Sequence, residues 1–392
     1  MMSARCKSIL AVMLVTIVLA GCGTAPERIL SREPARYATL PNGTNPLNPG
    51  EAARLADTKG AAMAGLIPAL EAKHQRPLNI LELSGGGQYG AFGAGFLKGW
   101  YKTGKRPQFD IVTGVSTGAL LATHAFLGTP ADDQVLEEIF TNITASDIYV
   151  NKGMLGLLWG RNAIYDTSPL QALLDKHITA EVLQRVAAGY DKGRRLYVGT
   201  TNLDYNQTWV WSLGLIAKEG TPEALELYKK VLRASAAPPI AFPPVEIEGH
   251  LFADGGVRQN LVVAGFTGRE KPAAPKYGPG NIFVVLNGKH VDVPKAVRND
   301  AIHLAGPALG AMLDNSTDSL LIRSYAGAKV RGYRFHIVAI PDDADVGNSF
   351  LAFDPDQMRA SFEVGYDLGI SADPWQNKPP VLKDLPDWVF DD

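Results

Sequence analysis

The chain has 392 residues, of which 46% are hydrophobic and 20% charged, a composition ordinary for a globular protein and enough to bury a sizeable core. Its 38 basic and 40 acidic residues give a formal charge of −2, so no uniform field gathers nucleic acid or anionic membrane by charge alone, and a nucleic-acid binder is not expected. Two cysteines, Cys6 and Cys22, are too few for a disulfide framework or a zinc site.

Residues 1–22 stand apart. Arg5 and Lys7 supply a positive start, Ile9 to Ala20 is almost unbroken apolar sequence, and Leu19-Ala20-Gly21-Cys22 closes it. This pattern resembles a bacterial lipoprotein signal. A transmembrane anchor is the alternative, but the run is shorter than the roughly 20 apolar residues that a spanning helix needs. The resemblance implies cleavage after residue 21, acylation of Cys22, and stable anchoring by several acyl chains at about 0.8 kcal/mol per buried methylene. Losing residues 1–21 removes Arg5 and Lys7 and no acid, leaving 36 basic against 40 acidic residues, a charge of −4. Gly23 in place of an aspartate after the lipidated cysteine points to the outer membrane of a Gram-negative envelope, facing the periplasm.

Residues 22–75 are expected to be a tether and a short helical lead-in, because Gly23 to Gly50 is rich in Pro, Gly, Asn and Thr and a helical stretch follows over Ala52–Glu71. The main folded body is expected to be residues 76–372. In it a strand is predicted over Leu78–Leu83, a helix over Ala91–Trp100, a strand over Phe109–Thr113 and a buried helix over Ala119–Leu127. Further strands are predicted at Leu196–Thr201, Thr208–Ser212, Ile282–Leu286 and Phe335–Ile340, with helices at Leu170–Lys176, Pro222–Ala236, Leu309–Tyr325 and Pro355–Leu368. This alternation predicts a three-layer α/β/α fold. The turn at Asp204–Gln207 joins two apolar runs as a hairpin, so the central sheet is expected to be mixed and mainly parallel. The tail, residues 373–392, carries Pro374, Pro379, Pro380 and Pro386 and cannot be helical.

Chemistry concentrates at the ends of the first two strands. Gly114-Val115-Ser116-Thr117-Gly118 lies between a strand and a helix, the nucleophile-elbow pattern in which glycines allow a strained turn that exposes the serine hydroxyl. A plain turn whose serine caps the helix is the alternative. Ser84-Gly85-Gly86-Gly87-Gln88-Tyr89-Gly90 also joins a strand to a helix, and its main-chain amides can converge on an anion or oxyanion. A nucleotide phosphate cradle is the competing reading. No Gly-Lys-Ser/Thr follows, and Asp110, near the spacing of a ribose ligand, starts a strand. Asp254-Gly255-Gly256 follows His250-Leu251-Phe252-Ala253 and by itself reads as a turn.

Together, Gly85-Gly86-Gly87-x-x-Gly90, Gly114-x-Ser116-x-Gly118, Ala234-Ser235-x-x-x-Pro239 and Asp254-Gly255-Gly256, in this order, resemble the patatin-like phospholipases over most of residues 78–260. The resemblance implies a serine acyl-ester hydrolase with a Ser-Asp dyad: Ser116 attacks the ester, Asp254 takes its proton, and the amides of Gly85, Gly86 and Gly87 hold the oxyanion. Gly90, Gly114, Gly118, Gly255 and Gly256 support the motifs. A carboxylate is a weaker base than imidazole, so Asp254 is expected close to the hydroxyl, shielded from water, with a raised pKa. No metal and no organic cofactor are expected, and the partners are a lipid or other acyl-ester substrate and the membrane. Where the family usually carries Lys or Arg in the glycine block this chain has Tyr89. A positive charge for a phosphate head group is thus missing, which makes phospholipid a less secure expectation than acyl ester in general; phospholipid stays the favoured substrate on the resemblance, with neutral glycerides, lysolipids and non-lipid esters as alternatives.

Two other functions fit parts of the sequence. A Ser-Asp-His esterase would take its base from His290, His303 or His336, all after Asp254. A tethered lipid-binding envelope protein would keep the scaffold without turnover, with Tyr89 as its sequence support. Met154–Gly160 reads as a lid or as core. Trp209 and Trp211 share one strand face, as core or as a wall of an acyl pocket.

Overall fold

Runs of Ile, Val and Leu alternate with helices along the chain, and the computed structural model, which describes residues 38–39, 63–153, 160–262, 277–289, 301–347 and 349–383, converts that alternation into a layered sheet. The first half of the chain gives β1 (Ala38–Thr39), α1 (Met63–His74), β2 (Asn79–Leu83), α2 (Gly90–Lys102), β3 (Ile111–Val115), α3 (Thr117–Leu127), α4 (Pro130–Thr141), α5 (Ala145–Ile148), β4 (Val150–Asn151) and β5 (Tyr165–Asp166). Next come α6 (Ser168–His177), α7 (Ala180–Asp191), β6 (Arg195–Asn202), β7 (Gln207–Ser212), α8 (Leu213–Glu219) and α9 (Pro222–Ser235). The last group is β8 (Val245–Ile247), β9 (His250–Asp254), β10 (Asn281–Lys289), α10 (Ala301–Arg331), β11 (Arg334–Ile340) and α11 (Pro355–Ile370).

The central sheet runs β1-β7-β6-β3-β2-β10-β11, with β9 also on β6 and β8 on β9. Strands β6, β3, β2, β10 and β11 are parallel, while β7, β1, β9 and β8 join antiparallel. The fold is thus three-layer α/β/α with a mixed, mainly parallel sheet, as the alternation predicts. The hairpin predicted at residues 204–207 joins β6 to β7, with Asn202 opposite Gln207.

Both faces of the parallel strands are buried, so successive residues serve different cores. Leu81, Val112, Val198 and Val285 pack with Phe92, Phe96, Leu121 and Phe362 from α2, α3 and α11. Ile80, Ile111, Tyr197 and Val284 pack on the other side with Leu66, Ile67, Leu320 and Tyr325 from α1 and α10. Trp209 and Trp211 belong to the first core and are fully buried, which settles them as packing. In the described part of the tail, Trp375 stands edge-on to Phe96 and Trp100, and Gln376 exchanges backbone hydrogen bonds with Ile337.

Three differences from the sequence expectation have local causes. The strand predicted at residues 109–113 begins two residues later, because Asp110 is used at the strand's entrance, where its carboxylate accepts from both Arg76 guanidinium nitrogens and from Asn79 N. Helix α4 was not anticipated, although Thr129 and Asp132 form a capping box with Pro130 at the first turn. Helix α7 was also missed; Thr179 caps it through Val182 N, and its Leu183, Val186 and Tyr190 make a short buried stripe.

Candidate active site

Strand β6 brings the two separated motifs together. Parallel β3 pairs with it as far as Val115 opposite Gly199, and antiparallel β9 takes over the same edge at Asp254 opposite Thr200. The residue after β3 and the last residue of β9 therefore meet end to end. Ser116 Oγ donates to Asp254 Oδ2 at 2.7 Å, and Gly256 N donates to Asp254 Oδ1 at 2.7 Å. Burial pushes the Asp254 carboxyl up to about 7, against the opposing pull of the bonds from Ser116 and Gly256, which favour the charged form.

Ser116 turns at φ 54° and ψ −125° as the N-cap of α3, a left-handed region that costs an L-residue roughly 1–3 kcal/mol and persists only where neighbours over-determine it. They do so here through close approach. A β-carbon on Gly118 would stand 2.4 Å from the Leu83 carbonyl oxygen, and one on Gly114 would stand 2.3 Å from that of Gly118. The glycines let α3 start directly against the end of β2. Gly90 and Gly255 are equally confined, the first by Thr117 Oγ1 and Phe140, the second by the Gly199 carbonyl and Val115.

The glycine loop lies beside the elbow, at the start of α2. Gly85 N donates to the Asn260 carbonyl at 3.2 Å, whereas among the described residues no acceptor meets the amides of Gly86 or Gly87. Of the three amides expected at an oxyanion, two are thus available and one is committed to the scaffold. Asn287, which the sequence reading did not single out, supports the loop from β10: its N donates to Ser84 Oγ and its Nδ2 to the Ser84 carbonyl, while Ser84 Oγ donates to the Gly85 carbonyl. From the other side Gln88 N donates to the Phe350 carbonyl at 2.9 Å, and Tyr89 Oη donates to the Gly347 carbonyl at 3.0 Å. Tyr89, at the position where the resemblance leads one to expect a cation, thus ties the loop to Gly347.

The sequence that forms this arrangement matches a known family: the model described as patatin-like phospholipase aligns with residues 81–267. Residues 81–267 are thus similar to the patatin-like phospholipases. An uncharacterized protein of Acanthamoeba polyphaga mimivirus, R571, is 29% identical over 189 residues, which cover 47% of this chain and 60% of that one. The chain therefore spans less than two thirds of that relative. Among solved structures, VipD from Legionella pneumophila superposes with a TM-score of 0.41 at 15% identity, covering 75% of this chain and 66% of VipD. Human GIVD cytosolic phospholipase A2 superposes at 0.37 and 11% identity, covering 86% of this chain and 64% of that structure.

Other candidates fall away from the Ser116–Asp254 pair. His336 stacks on Phe283 with ring centroids 4.8 Å apart, and its Nε2 lies 3.3 Å from Asn281 Oδ1, towards the start of β11 and away from Ser116. Burial also lowers its pKa. His290, Cys22 and residues 154–159 lie outside the described residues, and the side chain of His303 does as well. Asp110, at the opposite end of β3 from the glycine loop, pairs with Arg76. Among the described residues no group of three or more His, Cys, Asp and Glu is placed to hold a metal, and no helix is long and apolar enough to cross a membrane.

Proposed function

We propose that the chain is a lipid acyl-ester hydrolase in which Ser116 is the nucleophile and Asp254 the base. The observation that carries this reading is the 2.7 Å hydrogen bond from Ser116 Oγ to a buried carboxylate, on a strained elbow beside amides without acceptors. A serine hydroxyl needs a base within hydrogen-bond reach and preorganised donors where negative charge develops. As Ser116 Oγ bonds to the ester carbon, its proton passes to Asp254 Oδ2 and the carbonyl electrons move to an oxygen facing Gly86 N and Gly87 N. Collapse breaks the ester C–O bond, and Asp254 returns the proton to the departing alcohol. Water then attacks the acyl-enzyme, Asp254 takes its proton, and fatty acid leaves as Ser116 Oγ is reprotonated.

Phospholipid is the favoured substrate, on the family match. Tyr89, whose hydroxyl is spent on Gly347, supplies no cation for a phosphate, so hydrolysis should tolerate neutral glycerides as well. The domain reading extends to an N-terminal signal, Cys22 as the lipidated first residue of the mature protein, and an outer-membrane position facing the periplasm. Loss of radiolabelled fatty acid from a Cys22→Ser protein in whole cells tests that anchor.

The decisive experiment for the chemistry is covalent. A long-chain fluorophosphonate should modify the wild-type protein at Ser116, mapped by mass spectrometry, and Ser116→Ala should lose the label together with more than about 10³-fold of its rate on p-nitrophenyl acyl esters. An unlabelled wild type, or a Ser116→Ala protein of undiminished rate, overturns the reading.

A further inference from the structure

The amide of Ser116 does not bond where the sheet directs it. Arg195 N donates to the Asp110 carbonyl at 2.7 Å, which fixes the phase of the β3–β6 ladder. In a parallel pair the bonds are evenly spaced and every second residue of a strand turns its N–H and C=O to the same neighbour. Residues 195, 197 and 199 are therefore the ones that face β3, and after Val115 opposite Gly199 the next rung would run from Ser116 N to the Gly199 carbonyl. That rung is split by a side chain. Ser116 N donates to Ser235 Oγ at 3.0 Å, and Ser235 Oγ donates to the Gly199 carbonyl at 2.7 Å.

We propose that Ser235 is a positioning residue for the nucleophile, its hydroxyl standing in for one rung of the sheet so that Ser116 can leave the ladder without orphaning a buried N–H or C=O. A hydroxyl donates one hydrogen bond while accepting another, so serine is suited to bridge a separated amide and carbonyl, and the fully buried position leaves no water to replace it. The displacement has a direction. Moved one side-chain oxygen away from β6, Ser116 takes φ 54° and aims its hydroxyl along the sheet edge at Asp254. The same turn sets the partner, because two residues on the Ala237 carbonyl accepts from Asp254 N at 2.8 Å. The C-terminal end of α9 thus gauges both members of the dyad, one through a side chain and one through the backbone.

This inference rests on Ser116 being the nucleophile. Its test uses the full chain with a p-nitrophenyl acyl ester. Ser235→Ala should lower kcat about 10²-fold, the cost typical of a small misplacement of a reacting group, while KM stays within about threefold because ester binding is untouched. Ser235→Cys, close in shape but a weak hydrogen-bonding group, should be as slow as the alanine variant, and it decides the question alone should Ser235→Ala not fold. A folded Ser235→Ala within about twofold of wild-type kcat, or a cysteine variant at full rate, overturns the proposal, since turnover would then not depend on the hydrogen bonds of the Ser235 hydroxyl. Fluorophosphonate labelling separates the layers. A labelled Ser116 with an indifferent Ser235 rejects this inference alone, whereas an unlabelled wild type removes the reading beneath it.

Discussion

With its carboxyl pushed up to about 7 by burial, Asp254 is only partly ionised at neutral pH, and the proton it must accept from Ser116 can go only to the ionised fraction. The rate on an acyl ester should therefore climb with pH and level off above about 7. The same shift works against stability. The folded protein binds this proton more tightly than the unfolded chain, whose carboxyl titrates near the ordinary 3.8, so stability falls as pH rises from about 4 to about 7 and the loss is complete above that range. Asp254→Asn keeps the shape and cannot ionise. Its Tm should exceed that of wild type by a margin that grows between pH 5 and pH 8, while its activity falls to the level of Ser116→Ala. A margin that shrinks as pH rises would show that the carboxylate stabilises the fold, contrary to this account.

At the scale of elements, the site is a junction of strand ends and helix starts held by backbone contacts with no room to spare. Gly118 is walled in by main chain, because a β-carbon there would meet the Leu83 and Ser84 carbonyl oxygens at 2.4 and 2.6 Å, and neither is a flexible side chain. Gly118→Ala must push α3 away from the end of β2, at a cost of about 1–3 kcal/mol. The displacement also carries Ser116 away from Gly86 and Gly87. Urea denaturation should show the lost stability and a p-nitrophenyl ester assay a kcat lower by about 10²-fold. Unchanged values for both would mean that the elbow is more compliant than its contacts suggest.

The whole molecule extends well beyond the matched segment. Residues 277–383 contribute β10, β11, α10 and α11, and β10 pairs with β2 along its length. Helix α11 lies on α2 with backbone against backbone: a β-carbon on Gly365 would stand 2.1 Å from the Phe92 carbonyl oxygen, and one on Gly95 would stand 2.0 Å from that of Phe362. A chain ending at residue 267 would leave β2 as an edge and uncover Leu81, Leu83, Phe92 and Phe96. It should show no cooperative melting by circular dichroism, because an open hydrophobic edge favours association over folding. Soluble, cooperatively folding protein from that truncation would make residues 81–267 an autonomous unit.

The parts legible in the sequence are those whose cause is local. Apolar strand segments alternating with helices announced the layered sheet, and the glycine spacing around Ser116 announced the elbow, because a turn at φ 54° makes demands on its immediate neighbours. Helices α4 and α7 were legible in principle through Thr129 and Thr179, whose caps are local signals, but they lack the long apolar period that drew attention elsewhere. Everything that depends on partners far along the chain had to wait for the fold. Asp254 meets Ser116 across 138 positions and Ser235 meets it across 119, so motif order named these residues while only pairing on β6 assigned what they touch. Gly85, Gly86 and Gly87 are alike in sequence, yet Asn260 occupies the first amide and leaves the other two. Sequence by itself therefore determined the strand-turn-helix units and the residue types at their ends, since backbone conformation is a local property. Tertiary structure decided which hydrogen-bonding groups are spent and which are free, since a buried donor is satisfied by whatever the folded chain brings beside it.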